Sequence, residues 1–238
     1  VLFSNNIWSS SAPIRVMAFG TTFWLFGELV RPERLWTFSS HSMPWQMLVD
    51  VGFWEPDLVS EDSRIFLQGL IHYDGNYRVT PVFLPVSMDA VEAKGWWQAV
   101  KALYKQQRRW AWGVEHLPYM IARFKENKKI PFRTKFKFVF NHIEGMYTWG
   151  TAPILIFLLG YLPFFVARDS QAALVANSPF TLEFMMRIAT IGIFATGILS
   201  MFLLPPRPKE VKPWNWLVMI LQWALLPITF VTLGAFPA

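Results

Sequence analysis

Polar and apolar residues alternate in short runs up to about residue 140, and beyond it charge nearly vanishes for three long stretches. In the first part, Val16–Leu29 is apolar but short, and is broken by Gly20, Thr21, Thr22 and Gly27. That favours an interface-lying or core helix over a full membrane crossing. Ser60 suits a helix N-cap, and Glu61 and Asp62 fall in the first turn, where the helix dipole favours anions. Apolar Ile65, Phe66, Leu67, Leu70 and Ile71 continue that helix, and Asp74-Gly75-Asn76 stops it. Tyr77–Val86 is rich in β-branched and aromatic residues and predicts a strand, held to a sheet edge by Pro81 and Pro85. Trp96–Trp112 predicts an amphipathic helix with Gln106, Arg109 and Trp110 on one face. Helix and strand in such succession suggest part of an α/β layer.

The later stretches are long enough to cross a bilayer. Met146–Val166 holds 21 residues without a charge, about 30 Å of helix. Phe184–Leu204 is interrupted only by Arg187, whose side chain can snorkel to the interface. Trp214–Pro237 is again uncharged. The loop between the first two spans offers only Arg168 as a cation, whereas Pro205–Pro213 carries Arg207, Lys209 and Lys212. Positive-inside counting therefore puts Lys101–Lys137 and Pro205–Pro213 in the cytoplasm and Arg168–Thr181 outside.

Composition agrees with this division. The 238 residues are 53% apolar, 17% aromatic and only 16% charged, which leans toward a membrane protein. With 22 Phe and 13 Trp, a disordered chain is excluded. The absence of cysteine excludes disulfide scaffolds, thiolate zinc sites and cysteine nucleophiles. Charge is localised: Lys101–Lys137 holds eleven Lys and Arg against Glu115 and Glu126, or +9 in a chain of net +6. Because this block runs into a long apolar stretch, the anionic face of a membrane fits it better than nucleic acid.

Two features could carry chemistry. A carboxylate at a helix start, Asp62, can act as a general base, or can simply cap its helix. A face of Arg109, Gln106 and Trp110 can hold a pyrophosphate and stack a sugar, or can be an ordinary basic surface. His41, His72, His116 and His142 show no metal-ligand spacing with acidic partners. His142 and Glu144 read as interface markers, and His116 as the maker of a structural hydrogen bond. No Gly-rich phosphate loop, Gly-x-Ser-x-Gly or His-Glu-x-x-His occurs.

Ser60-Glu61-Asp62 resembles the Thr/Ser-Glu-Asp motif of membrane-integrated family 2 glycosyltransferases, such as cellulose and hyaluronan synthases. Gln106-Gln107-Arg108-Arg109-Trp110 is similar to that family's Gln-x-x-Arg-Trp. Val51–Asp57 and Gly75–Val79 look like its glycine-aromatic turn and following strand. The resemblance covers Phe38–Pro118 by motif and the trailing spans by layout.

It implies an α+β membrane protein: a partial GT-A-like α/β catalytic segment (1–118), a basic interface segment (119–142) and a region of three transmembrane helices (143–238). It further implies an inverting glycosyltransferase at the plasma membrane, its catalytic part cytoplasmic, moving a sugar from a nucleotide-sugar donor to a glycan or lipid acceptor. Asp62 would be the base, beside Glu61. Gln106 and Arg109 would hold the donor diphosphate, and Trp110 would line the acceptor site. Ser40, His41 and Ser42 sit where the family has an acceptor loop, although the common form there is Cys-Gly-Ser. A divalent metal, Mg or Mn, is implied, but its Asp-x-Asp ligands precede the acceptor loop, and no Asp occurs before Asp50. With Val1 opening the chain, the donor-binding half is expected upstream, and this segment alone is expected to be inactive. The rival from another class is a non-catalytic membrane scaffold or transporter subunit.

Overall fold

A computed structural model describes residues 1–156, 166 and 173–238. Eight helices carry these residues. They are α1 (Ala12–Leu29), α2 (Trp45–Val51), α3 (Glu61–His72), α4 (Trp96–Ala111), α5 (His116–Glu126), α6 (Phe132–Ile154), α7 (Ala173–Phe202) and α8 (Asn215–Ala235). A 3₁₀ turn, Trp112–Glu115, joins α4 to α5 almost without a break. α8 is a composite rod, with a 3₁₀ turn at Gln222–Leu225 and a π turn at Phe230–Ala235.

The expected α+β layer is not there. Among the described residues no strand or sheet forms, and the chain is helical. Residues Tyr77–Val86, read as a strand, run without a ladder; the nearest pairing is a single parallel bridge between Leu2 and Ser87. In it Leu2 N–H donates to the Val86 carbonyl and Met88 N–H to the Leu2 carbonyl, both at 2.8 Å. The cause is physical. A strand exists only against a neighbour, Pro81 and Pro85 each remove a donor, and no second β-rich run lies beside residues 77–85. β-propensity described the side chains correctly without supplying a partner.

The expectation of three transmembrane helices is also not met among the described residues, which hold two. Glu183–Phe202 and Asn215–Ala235 are long and apolar enough to cross a membrane. They match the expected Phe184–Leu204 and Trp214–Pro237 closely. The large apolar side chains of α7, including Ile188, Ile191, Phe194 and Ile198, face outward rather than into a protein core. Arg187, expected to snorkel, instead pairs with Glu183 one turn earlier at 2.5 Å. The first expected span, Met146–Val166, begins on α6 and then enters 157–165, outside the described residues.

Two cores organise the rest. In the first, Ile14, Met17 and Phe19 of α1 pack with Leu103 of α4 and with Trp223 and Leu233 of α8. α1 is therefore a core helix, and its Gly20 lets the Phe230 ring of α8 approach: a Cβ there would sit 3.1 Å from that ring. In the second core, Phe66, Leu67 and Leu70 of α3 meet Met120 and Phe124 of α5 and Phe138 of α6. α3 ends as its sequence predicts. Asp74 and Gly75 adopt positive φ of 54° and 87°, and Gly75 N–H bonds the Leu70 carbonyl at 2.7 Å.

Candidate active site

The start of α3 carries the acidic motif, and the rest of the site is built on it. Ser60 occupies the N-cap position, yet its hydroxyl does not cap the helix. It donates instead to Glu115 Oε1 at 2.5 Å, across to the turn that follows the Gln-x-x-Arg-Trp helix. Asp62 Oδ1 accepts the backbone N–H of Ser63 at 2.8 Å, and the Thr37 hydroxyl donates to the Asp62 carbonyl at 2.5 Å. Half-burial, then the neighbouring Glu61 carboxylate, raises the Asp62 pKa above the usual carboxylate value. The Ser63 N–H bond and the nearby His41 imidazole pull it partly back. A carboxyl so placed has a higher proton affinity than a solvated one, as a general base requires.

His41 is near enough for its charge to act on Asp62. Its Nδ1 bonds the Phe38 carbonyl, so the stretch folds back on itself. Ser40 and Ser42 are exposed in the same segment, and Glu61 is exposed at the helix start.

The other motif is placed differently. Gln106 and Trp110 line a cavity of about 20 Å³ shared with Ile14, Met17 and Thr21 of α1 and with Asp89–Val91. That volume suits about one water, not a diphosphate or a sugar. Gln107, which the motif leaves unspecified, is buried, while Arg109 is exposed. No hydrogen bond or ion pair joins Gln106, Arg109 or Trp110 to Asp62 among the described residues. The two motifs meet through Glu115 and His116 instead, just past Trp110.

His116 makes the structural hydrogen bonds expected of it, with partners that the sequence did not name. It is 1% exposed, its ring 2.9 Å from the Ser63 hydroxyl through Nε2 and 3.2 Å from Arg64 Nε through Nδ1. Arg64, 5% exposed, also donates to Glu55 Oε2 at 3.0 Å and lies 3.8 Å above the Tyr119 ring. Burial, followed by Arg64 and His142, lowers the His116 pKa to about 3. His142, expected at the interface, is buried and stacks on Trp36 at 5.3 Å and 16°. The signal for this cluster was Ser60, Ser63 and Arg64 at helical spacing, a polar side placed against an aromatic-rich chain. Spacing alone could not name the histidine on the far side.

A metal does not fit the residues present. Among the described residues no group of three or more His, Asp or Glu converges to hold a cation. The larger concavity, an open groove of about 250 Å³, is lined by Asp50, Gln68, His72, Tyr119, Arg123 and Asn127, among others, and not by Asp62. Compared with protein-family profiles, with curated proteins and with solved structures, the chain finds no significant match.

Proposed function

We propose that the chain is the acceptor-side, membrane-anchored part of an inverting glycosyltransferase, with Asp62 as its general base. The observation that carries this reading is the placement of Asp62: half-buried at a helix start, its proton affinity raised, with His41 alongside and the post-motif turn tied to the same helix by Ser60–Glu115. In the reaction, the Asp62 carboxylate takes the proton of an acceptor hydroxyl as that oxygen bonds the anomeric carbon of a nucleotide-sugar. The bond from that carbon to the diphosphate oxygen breaks on the opposite face, its electron pair leaving with the nucleoside diphosphate. Arg109, exposed on a basic helix, supplies charge for a diphosphate brought to it.

Residues 183–202 and 215–235 anchor the chain in a bilayer, and the basic stretches put the polar half in the cytoplasm, at the plasma membrane. A second reading, a non-catalytic scaffold, is favoured by one observation: Gln106 and Trp110 face α1 across a cavity too small for substrate.

Asp62→Asn in the full-length protein separates the two. A base is required for transfer, so sugar incorporation into the acceptor should fall about 100-fold or more while the protein stays folded in the membrane. Unchanged transfer removes Asp62 from the mechanism, and a wild-type protein without any transfer removes the enzyme reading.

A further inference from the structure

The open groove at the far end of α3 is unused by the reaction above, and its wall is mostly polar. Asp50 comes from α2, Gln68 and His72 from α3, and Tyr119, Arg123 and Glu126 from α5. Gly52 and Phe53 follow α2 with φ of 81° and 68°, and a left-handed backbone is strained for a side chain as bulky as Phe53. That reversal presents the Val51 and Phe53 carbonyls to Gln68 Nε2, at 3.5 and 3.1 Å. The Gln68 amide is thereby fixed, and its oxygen is buried without a hydrogen-bond partner among the described residues. Asp50 is fixed as well, accepting the Tyr73 hydroxyl at 2.6 Å and the Gln46 amide at 2.7 Å. These bonds, Tyr73 first, hold its carboxyl below the usual carboxylate range. Arg123 pairs with Glu126 at 3.2 Å and lies 5.7 Å from the centre of the Tyr119 ring.

These groups say what the groove takes. Carboxylates at Asp50 and Glu126 repel an anion, Arg123 repels a cation, and an apolar occupant would leave the polar wall unpaired. A neutral polyhydroxyl ligand suits all of them, because each hydroxyl both donates and accepts. Its hydroxyls donate to Asp50 and to the orphaned Gln68 oxygen and accept from the Arg123 guanidinium. At about 30 Å³ for each water, the groove of about 250 Å³ equals roughly eight waters, room for one sugar ring and part of a second. Arg64 already covers the Tyr119 face at 3.8 Å, so hydrogen bonds rather than stacking do the recognising. We propose that this groove is a second saccharide-binding site, separate from Asp62, for a neutral mono- or disaccharide unit of a glycan. Gln68 lies six residues beyond Asp62, about 120° away around the α3 axis, so the two sites open on different sides of the helix. The saccharide class comes from the groove's own groups; only its purpose, keeping a glycan at the protein, rests on the transfer proposed above.

Binding, not turnover, tests this. The full-length protein in detergent is titrated with cellobiose, maltose, chitobiose and mannobiose, and with digalacturonate as the anionic comparison. Contact is read by saturation transfer from protein to sugar protons. The expected result is that at least one neutral disaccharide binds and digalacturonate does not. Asp50→Ala and Arg123→Ala should each weaken that binding about tenfold or more, since each removes a charged hydrogen-bond partner. The Arg123 side chain is 53% exposed, so its removal buries no unpaired group and serves if Asp50→Ala does not fold. Asp62→Asn should bind the disaccharide as wild type does. Absence of neutral-disaccharide binding at millimolar concentration overturns the site, as does a preference for digalacturonate. Binding that survives Arg123→Ala but is lost in Asp62→Asn also overturns it, and leaves the transferase reading standing. A protein that binds the disaccharide through Asp50 and Arg123 yet never transfers sugar keeps the groove site and loses the enzyme reading.

Discussion

Arg64 donates its Nε–H to Nδ1 of His116 across 3.2 Å, and this one bond settles the histidine's chemistry. An arginine nitrogen can only donate, so Nδ1 must be the bare, accepting nitrogen. The neutral ring then carries its proton on Nε2 and donates it to the Ser63 hydroxyl, which in turn donates to the Ser60 carbonyl at 3.2 Å. A chain of hydrogen bonds thereby runs from the end of the Gln-x-x-Arg-Trp segment into the turn that bears Asp62.

Replacing His116 tests that chain. Glutamine can accept from Arg64 and donate to Ser63 at once, whereas alanine can do neither. His116→Ala should lower kcat for sugar transfer about tenfold through misplacement of the acidic turn, with KM little changed. His116→Gln should restore most of it. Equal losses in both variants would show that the ring's packing, not its hydrogen bonds, is what matters.

Stability should depend on pH through the same residue. The folded pKa of His116, about 3, lies below its ordinary 6.5, so between these values the unfolded chain binds the extra proton. Stability contributed by keeping His116 neutral is complete above pH 6.5 and falls as pH drops toward 3, by at most about 1.4 kcal/mol per pH unit. Asp62, with its raised pKa, acts in the opposite sense by binding its proton more readily when folded. The difference in denaturant midpoint between wild type and His116→Gln isolates the histidine, and it should move in favour of His116→Gln on acidification through that window.

Arg64→Ala removes the donor to His116, the partner of Glu55 and the cation over Tyr119 together. A loss of about 2–4 kcal/mol in unfolding free energy follows from unpaired buried groups and lost stem packing. Arg64→Lys should recover only part, because an ammonium cannot hold both directions of the fork. Thermal or denaturant melts in detergent measure this.

Gly75→Ala should cost about 1–2 kcal/mol. Its φ of 87° strains any L side chain, and the added Cβ would lie 3.1 Å from Ile130 Cγ2. Gly27→Ala, where nothing lies within 4 Å of the new methyl, is the matched control and should be neutral or stabilising.

Orientation is open to direct labelling. Lys128→Cys and Lys209→Cys lie in the two basic stretches and should react with a membrane-impermeant maleimide only after permeabilisation. Labelling of either in intact cells would reverse the topology.

Much of the helical skeleton was legible in the residue pattern. The start and stop of α3, the extent of α4 and the last two spans follow from local signals: an acidic first turn, a left-handed stop at Asp74-Gly75, and long uncharged runs. Such signals act over a few residues and need no distant partner. The strand at Tyr77–Val86 was not decided locally, because a ladder requires a second chain segment that composition cannot supply. Likewise, Gln106, Arg109 and Trp110 do lie on one helix, but the wall that Gln106 and Trp110 face, and Arg109 does not, is set by how α1 packs on α4 and α8.

The sequence alone determined which residues are acidic, basic, apolar and helical here, because side-chain chemistry and backbone propensity are carried position by position. Only the tertiary structure decided that His116 and Arg64 brace the turn of Asp62, that His142 lies inside against Trp36, and that Asp50, Gln68 and Arg123 line one groove. Those facts depend on contacts between segments dozens of residues apart, and burial, tautomer and proton affinity take their values only once such segments meet.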